Sequence, residues 1–419
     1  MRIGLEVTAA VQQGAGIGRY VRELLLALAE LDAHNSYRLF YAARLPLPHA
    51  LPALPANFQA RRLPVPDAWL ARAWHRLQLP LPVQLATGRV QLYHSPDFTL
   101  PPVSARIPTL LTVHDLSFER EPATAAPGLR AFLKQAVPRS VQRATHVLAD
   151  SQATRDDLMD LYGTPSAKIT VLYPGVAARF QPVAGPGQLA VRKRYALGAQ
   201  PFVLCVGTLH PRKNHLRLIA AFYAALRNSE HNLVIVGGPG GAEHSIRAAV
   251  QQLGLQQRVL LTGYVEDAHL PALYSAAAAV AYPSLYEGFG LPLAEALACG
   301  TPVLASSAPC LPEVAGGAAL LADPRDEQAL AAALLRITGD TRTTVAARWR
   351  KYSDWQDCMD DHAAFLHQNR RYAACFECTT GDAFAKAVAK AGYATDPDYA
   401  AKLISIIGQH ELADLDGGS

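Results

Sequence analysis

The sequence predicts an α/β protein made of two successive Rossmann-like domains, each a parallel sheet wound with helices. Short apolar strands alternate with longer helical patterns in the first half, and a second alternating series begins after residue 200. Between them, residues 173–187 carry three prolines and three glycines, which is typical of a linker. We therefore expect domains at residues 1–178 and 188–337, facing each other across a cleft.

The first domain is expected to begin with a strand at Arg2–Val7, a glycine loop at residues 14–18 and a helix at Arg19–Glu30 with a 3.6-residue apolar rhythm. Ser151 suits the N-cap of a helix through Leu161. Further strands are expected at residues 37–41, 92–94, 109–114, 146–149 and 170–172. The strands of the second domain are expected at residues 202–206, 232–236, 259–262, 279–282 and 302–305.

The composition is globular, with 50% hydrophobic and 18% charged residues. The chain begins without a signal-peptide pattern, and no apolar run reaches about 18 residues, so we expect a cytoplasmic protein. Residues 1–187 hold 19 basic and 13 acidic side chains, against 20 and 22 in the remainder. This excess suits an anionic acceptor or the inner membrane surface, and ordinary solvation explains it equally well. No nucleic-acid partner is expected.

The stretch from Tyr286 to Pro302 is the most informative about function. Glu287 lies in a loop with Gly288 and Gly290, which leave the backbone open to a ligand. The helix that follows favours phosphate groups at its N-terminus. Glu295 lies eight residues on, about 2.2 helical turns, so the two acids must contact different parts of one long ligand. A nucleotide sugar is such a ligand.

This stretch resembles the Glu-x7-Glu signature of retaining glycosyltransferases of family 4, which have the two-domain GT-B fold. The resemblance covers about residues 1–337. It implies that Glu287 lies beside the sugar and that Glu295 hydrogen-bonds the ribose hydroxyls. The donor-binding loop would then comprise Gly288, Phe289, Gly290 and Leu291.

A second motif runs from Gly207 to Asn214 at the start of the second domain. A departing nucleotide diphosphate carries about two negative charges, which Arg212 and Lys213 suit as fixed cations. The family resemblance assigns diphosphate binding to these positions, with Gly207 in the donor loop. We expect no metal and no cofactor besides the nucleotide sugar.

Two motifs of the first domain complete the expected site. In mannosyltransferase-like members of the family, the residue matching His114 faces the sugar, and we expect Asp115 to orient it. The loop Gly14-Ala15-Gly16-Ile17-Gly18 alone fits a dinucleotide site, a phosphate site or a tight turn. The resemblance implies that Gly16 closes over the donor phosphates, with Arg19 and Asp115 on the acceptor side.

The sequence therefore predicts a retaining hexosyltransferase that uses a nucleotide diphosphate sugar, with GDP-mannose favoured over UDP-glucose. The acceptor would be a glycan or a lipid-linked glycan in surface polysaccharide or glycolipid synthesis. Because no second carboxylate is placed as a nucleophile, we expect front-face transfer. The alternatives are a non-catalytic nucleotide-sugar binder and a cell-wall module. Residues 69–85 mix aromatics and cations, which fits either a membrane contact or a solvated helix.

The chain departs from the family pattern after about Ile337, and from about Ala346 onward it resembles a different family. Residues 392–403 resemble the C-terminal half of flagellar-type muramidases of glycoside hydrolase family 73. That half lacks the family's catalytic glutamate, so we expect no muramidase activity. Residues 346–412 are expected to be mostly helical, and either replace the helix that closes the two domains or impair transfer. Cys375 and Cys378 are a weak signal for a metal or redox site.

Overall fold

The computed structural model describes residues 1–14 and 16–339 and, beyond them, the single helical residue Lys386. The predictions for residues 346–412, including Cys375 and Cys378, therefore lie outside the described residues. Both sheets described below belong to one compact unit of the chain.

Seven parallel strands form the first sheet, in the order β3-β2-β1-β4-β5-β6-β7. Their bounds are β1 Arg2–Glu6, β2 Ser36–Ala42, β3 Phe58–Leu63, β4 Leu92–Ser95, β5 Thr109–Val113, β6 His146–Ala149 and β7 Ile169–Val171. The core of this half packs on these strands, with Leu5, Phe40, Tyr93 and Leu111 buried almost completely.

The helices of this half are α1 Thr8–Gln12, α2 Ile17–Leu31, α3 Asp67–Ala71, α4 Gln84–Thr87, α5 Ser117–Arg120, α6 Pro127–Arg143 and α7 Gln152–Tyr162, with a π-helical turn at Arg72–Arg76 and 3₁₀ turns at Pro122–Thr124 and Ser166–Lys168. The Ser151 hydroxyl accepts a hydrogen bond from the Thr154 N–H, which confirms the predicted N-cap of α7. Gly163 ends that helix in the left-handed conformation.

Six parallel strands form the second sheet, in the order β10-β9-β8-β11-β12-β13. Their bounds are β8 Phe202–Val206, β9 Asn232–Val236, β10 Val259–Gly263, β11 Ala279–Tyr282, β12 Val303–Ser306 and β13 Leu320–Ala322. The helices are α8 Gly185–Arg194, α9 His215–Leu226, α10 Glu243–Gln252, α11 Leu270–Ala276, α12 Leu291–Ala298, α13 Leu311–Ala315 and α14 Glu327–Gly339, with 3₁₀ turns at Pro211–Lys213 and Asp267–His269.

Successive residues of β8 enter two different apolar clusters. Phe202 and Leu204 belong to one cluster, and Val203 and Cys205 belong to the other. Since side chains alternate between the faces of a strand, the sheet has an apolar core on each face. This accounts for the nearly continuous apolar runs in the sequence of the second half.

Both sheets follow the strand order of a Rossmann fold, with the first strand of each half in the middle. The prediction of two Rossmann-like domains is therefore confirmed. The order reverses between β1 and β4 and between β8 and β11. Ligands of such folds bind beyond the carboxyl ends of the strands at this point.

The sequence missed two strands, β3 and β13, and both are edge strands. Only Phe58 is buried among the six residues of β3, and only Ala322 among the three of β13. β3 contains Gln59, Arg61 and Arg62 and so lacks the apolar run by which the inner strands were recognised. β13 is only three residues long, and its Ala- and Leu-rich sequence does not distinguish a strand from a helix. The inner strands begin and end within one or two residues of their predicted bounds.

Across the described part of the chain, none of the helices combines the length and the apolar character needed to span a bilayer.

Candidate functional site

Loops from the two halves of the chain touch where β5 and β11 end. The first loop begins at His114, and the second contains Gly288. A Cβ built on Gly288 would lie 1.9 Å from the His114 carbonyl oxygen. This close approach therefore requires glycine, and it brings the two predicted motifs together.

A buried charge cluster lies directly beside this contact. Arg212 Nη1 lies 2.9 Å from Glu287 Oε2, and Lys213 Nζ lies 2.6 Å from Glu287 Oε1. Lys213 Nζ also donates to the Tyr282 hydroxyl at 2.8 Å, and Arg212 Nη1 donates to the Tyr286 carbonyl oxygen at 2.6 Å. The structure thus brings together the three charged residues predicted for the sugar and the diphosphate.

The charges of this cluster hold one another in their ionised forms. Burial by itself raises the pKa of Glu287, but the adjacent Arg212 and Lys213 outweigh it and lower that pKa to about 2. Burial lowers the pKa of Lys213, and Glu287 opposes this effect. Glu287 therefore neutralises part of the positive charge of Arg212 and Lys213.

The loop that carries the two cations is fixed at both ends. Arg212 and Lys213 lie in the 3₁₀ turn after β8, where His210 Nδ1 accepts the Arg212 N–H at 3.2 Å. Asn214 follows in the left-handed conformation, and its side-chain amide donates to Pro283 O and Pro324 O. Gly207 makes room for the Lys213 stem, since its Cβ would lie 3.2 Å from Lys213 Cε.

The loop of Glu287 continues into α12 through Gly290, whose φ of +92° favours glycine. Leu291 is the first residue of α12, so the helix N-terminus faces the end of this loop. Phe289 lies between the glycines, and its ring is 6.0 Å from that of Tyr173, in the segment that joins the two sheets. The predicted donor loop therefore leads directly from Glu287 into the N-terminus of α12.

Glu295, expected at the ribose, is already paired. Arg19 Nη2 lies 2.7 Å from Oε1, and the Tyr274 hydroxyl donates to Oε2 at 2.9 Å. Glu295 is only 1% exposed. Arg19, expected on the acceptor side, therefore reaches from α2 to Glu295, where it also lies 3.7 Å from Asp267 and packs over the Phe180 ring.

A cavity of about 290 Å³ adjoins the Arg19–Glu295 pair. Its walls are α2, residues 172–177 and the start of α12. A ribose that hydrogen-bonds Glu295 would either have to share this carboxylate with Arg19 or displace Arg19 from it. Asp267 opens a 3₁₀ turn beside this pair, whereas Glu266 lies 3.1 Å from Arg194.

His114 is oriented by a residue that the sequence analysis did not select. Its Nδ1 lies 2.7 Å from Asp150 Oδ2, and its Nε2 lies 3.0 Å from the Pro96 carbonyl oxygen. Burial alone lowers the pKa of His114, but the Asp150 carboxylate outweighs it and raises that pKa to about 9. Both ring nitrogens face acceptors, so the ring is a buried imidazolium that donates from each.

The expectation that Asp115 orients His114 is wrong. Asp115 Oδ1 instead accepts the Ser117 N–H at the start of α5. The His114 ring packs edge-on against Tyr20 and Phe98, at centroid distances of 4.9 and 5.6 Å. Its Nε2–H points to the Pro96 carbonyl oxygen.

The glycine loop before α2 turns tightly. Gly16 has φ +57° and precedes the first residue of α2, and a Cβ on Gly18 would lie 2.1 Å from Gln13 O. Ala15 is outside the described residues. Of the meanings left open for this loop, the tight turn is the one visible in its geometry, and Gly16 meets nothing within 4 Å, which leaves space above it.

Comparison with known proteins establishes the class of the two domains. The family model described as Glycosyltransferase Family 4 matches residues 14–180, and that of Glycosyl transferases group 1 matches residues 190–354. The chain carries two glycosyltransferase domains. A third family model, Mannosyl-glycoprotein endo-beta-N-acetylglucosaminidase, matches residues 325–412.

Individual relatives agree with this assignment. The O-antigen chain mannosyltransferase B of Escherichia coli is 29% identical over 371 residues, which is 82% of this chain and 93% of that protein. The O-antigen chain mannosyltransferase RfbU of Salmonella typhimurium is 28% identical over 342 residues, 78% of this chain and 88% of that protein.

Solved structures show the same fold. Sucrose-phosphate synthase from Thermosynechococcus elongatus has a TM-score of 0.66 at 23% identity and covers 88% of this chain and 98% of its own. Anabaena HepE in complex with UDP and glucose has a TM-score of 0.62 at 20% identity, covering 82% of this chain and 91% of its own. The fold is therefore GT-B.

The two glycosyltransferase domains are joined by contacts that sequence reasoning missed. Glu313 accepts the backbone N–H of Gln152 at 2.8 Å and the Tyr173 hydroxyl at 2.6 Å, so it caps α7 from the other domain. The Tyr286 hydroxyl donates to Asp157, which also binds Arg120. Among the functional residues that were not predicted, Asp150 could have been found most easily, because it directly follows strand β6.

Proposed function

We propose that this glycosyltransferase transfers a mannose-type or glucose-type hexose, with retention, from a nucleotide diphosphate sugar to a glycan or lipid-linked acceptor. The proposal rests chiefly on one observation, the buried Glu287–Arg212–Lys213 cluster beside the His114 loop. Two adjacent cations at a strand end and the nearby start of α12 suit a diphosphate. The sugar would then lie between Glu287 and His114.

Binding of the diphosphate would exchange partners within the cluster. Its oxygens would take the donors of Arg212 and Lys213 that Glu287 now holds. The released carboxylate would then accept hydrogen bonds from the sugar hydroxyls. The two cations would stabilise the negative charge that develops as the bond to phosphate breaks, so neither a metal nor another cofactor is required.

The arrangement favours front-face transfer. In this arrangement the released Glu287 carboxylate binds sugar hydroxyls rather than the anomeric carbon, so it does not serve as the nucleophile of a covalent glycosyl intermediate. In the proposed step the acceptor oxygen bonds to the anomeric carbon on the face from which the phosphate departs. The proton of the acceptor hydroxyl passes to the departing phosphate oxygen, and retention follows.

GDP-mannose is the proposed donor, with UDP-glucose as the alternative. The Val-His-Asp-Leu sequence at residues 113–116 and the two O-antigen mannosyltransferase relatives support mannose. The fold neighbour bound to UDP and glucose keeps the alternative open. The same relatives support a role in bacterial surface polysaccharide synthesis.

We place the enzyme at the inner face of the membrane. Trp69, Leu77 and Leu85 of the first domain are 62%, 61% and 65% exposed. Arg72 and Arg76, also exposed, lie between Trp69 and Leu77. Apolar side chains interleaved with cations suit an anionic bilayer that carries a lipid-linked acceptor.

A donor screen tests the proposal. Purified protein is given GDP-mannose, UDP-glucose, UDP-galactose or ADP-glucose with a lipid-linked acceptor, and release of the nucleotide diphosphate is followed. The proposal requires turnover with GDP-mannose or UDP-glucose that depends on the acceptor. Tight nucleotide-sugar binding without turnover would indicate the non-catalytic binder instead.

The glucosaminidase match favours a second candidate, a module that acts on or binds cell-wall glycan. We propose that the match corresponds to the C-terminal half of a flagellar-type muramidase and has no hydrolytic activity. Suspensions of purified cell wall should then keep their turbidity when incubated with the protein. A fall in turbidity without any nucleotide sugar would establish hydrolysis.

A further inference from the structure

A second cavity lies in the second glycosyltransferase domain, outside the Glu287–Arg212–Lys213 cluster. It opens between the first turns of α9 and α10 and has a volume of about 420 Å³. Ligand pockets commonly measure about 300–1,000 Å³, so it is large enough for more than water. Its polar lining consists of His210, Asn214, His215, Arg217, Ser245 and Glu327.

His215 is the feature that points to an occupant. The residue is 2% exposed, and neither ring nitrogen has a hydrogen-bond partner in the structure. Burial, together with the nearby Lys213 and His210, lowers the pKa of His215 to about 4, so the ring is neutral. A neutral imidazole presents one N–H donor and one lone-pair acceptor. Buried polar atoms of this kind are normally paired.

The charges around the cavity do not favour an anionic ligand. Arg217 is held by Asn214 Oδ1 at 2.9 Å, and Glu327 lies exposed at the rim. The Glu243 carboxylate, at the start of α10, is bound to the backbone N–H groups of Gly240 and Gly241 and so offsets the positive end of that helix. A cation, a carboxylate and a neutral imidazole together suit hydroxyl groups, which both donate and accept.

We propose that this cavity binds a sugar residue, a neutral polyhydroxy ligand, at a site separate from the transfer site. Vicinal hydroxyls would pair with His215 and with the rim groups Arg217 and Glu327. Leu216 and Ile246 supply apolar wall for the C–H face of a pyranose ring. A glycan could therefore hold the second domain at a point remote from the sugar being transferred.

The cavity also adjoins the loop that carries the proposed diphosphate cations. His210 lines the cavity and accepts the Arg212 N–H through Nδ1. Asn214, which fixes the end of that loop, is a second shared residue. A sugar in the cavity would thus stabilise the loop in its observed position.

The test is NMR of the His215 ring in the full-length protein, titrated with methyl α-D-mannopyranoside and with methyl α-D-glucopyranoside. Excess GDP and UDP are present throughout to occupy the proposed donor site, and no nucleotide sugar is added. We expect saturable shifts of the His215 signals with at least one glycoside. The rim variants Arg217→Gln and Glu327→Gln should each weaken binding about tenfold. His244→Asn, an exposed histidine on the first turn of α10, is the matched control and should bind as the unaltered protein does.

Two results would overturn the proposal. If inorganic phosphate shifts His215 at saturation and neither glycoside does, the cavity is an anion site. If neither probe shifts it, the cavity holds water only. If a variant of the histidine itself, His215→Asn, fails to fold, the test relies on the rim variants Arg217→Gln and Glu327→Gln. Because binding is measured without a donor, an inactive transferase leaves this outcome unaffected.

Discussion

Glu287 holds two cations at the position where a nucleotide diphosphate would need both. In the proposed function, the phosphate oxygens of the donor would replace this carboxylate as the partner of the two cations. The contacts of the carboxylate bring Glu287 into one cluster with Arg212 and Lys213, which lie more than seventy residues earlier in the sequence. The roles of these residues remain predictions that substitution can test.

Replacing Lys213 with alanine should lower the transfer rate by about 10²–10³-fold, because it removes a cation from the departing phosphate. Glu287→Ala should lower it similarly by removing the sugar contact. Lys193→Ala, an exposed lysine on α8, is the matched control and should transfer normally. Initial rates are compared after circular dichroism has shown that each variant is folded. Near-normal rates in both site variants would refute the assignment.

The charged His114 predicts a pH dependence of stability. Its pKa in the folded protein is raised to about 9, whereas an unfolded histidine titrates near 6.5. The stabilisation is therefore complete below about pH 6.5 and is lost as the pH rises through about 9, with a total of up to about 3 kcal/mol. Urea unfolding from pH 6 to pH 9.5 measures it. His114→Gln should lack this component, and equal slopes in the two proteins would contradict the charge assigned to His114.

At the scale of single residues, the sequence indicated that several charged side chains belong to one site, but it did not indicate the hydrogen-bond or ion-pair partner of each. Arg212, Lys213 and Glu287 lie in local motifs, so their assembly was predictable. Asp150, which orients His114, lies just after the neighbouring strand β6, and Arg19, which pairs with Glu295, comes from the other domain. Such partners depend on the packing of distant segments, which no local pattern encodes.

At the scale of elements, the loop from Tyr286 to Gly290 controls how closely the two domains approach. Gly288→Ala would place a methyl group 1.9 Å from His114 O, so the loop must move away. We expect kcat to fall about tenfold or more, with the protein still folded. Gly128→Ala is the control, because its Cβ would meet nothing within 4 Å. Unchanged kcat in Gly288→Ala would show that transfer does not need this approach.

Glu313 makes the N-terminus of α7 part of the domain contact. Glu313→Ala removes the carboxylate that caps this helix and should destabilise the protein by about 1 kcal/mol. Glu230→Ala, an exposed acid in a surface turn, is the control. Chemical unfolding of the three proteins gives the difference. Equal free energies of unfolding for Glu313→Ala and the control would show that the contact of Glu313 with α7 does not stabilise the protein.

Elements were predictable where their sequence has a distinct apolar run. The inner strands of both sheets carry such runs and were found almost to the residue, whereas β3 is interrupted by Gln59, Arg61 and Arg62, and β13 is a short Leu-Leu-Ala segment that does not distinguish a strand from a helix. Residues 69–85, for which a membrane contact and a solvated helix were the two interpretations, do not form one helix: they span the end of α3, a π-helical turn, a non-helical stretch and the start of α4. Pro80 and Pro82, in that stretch, disfavour a continuous helix there.

At the scale of the whole molecule, the exposed leucines and tryptophan of residues 69–85 predict attachment to anionic membranes. Trp69→Ser combined with Leu85→Ser should weaken sedimentation with phosphatidylglycerol vesicles about tenfold. Leu189→Ser is the control, since Leu189 is 68% exposed on α8 of the other domain. Equal sedimentation of the double variant and the control would place the membrane contact elsewhere.

The central claim is that Arg212 and Lys213 bind the diphosphate of a nucleotide-sugar donor. A crystal structure of the protein with GDP tests it most directly. We predict that the β-phosphate lies within hydrogen-bonding distance of Lys213 Nζ and the Arg212 guanidinium, with Glu287 released from at least one of them. A GDP molecule bound elsewhere, with the Glu287–Arg212–Lys213 cluster intact, would contradict the claim.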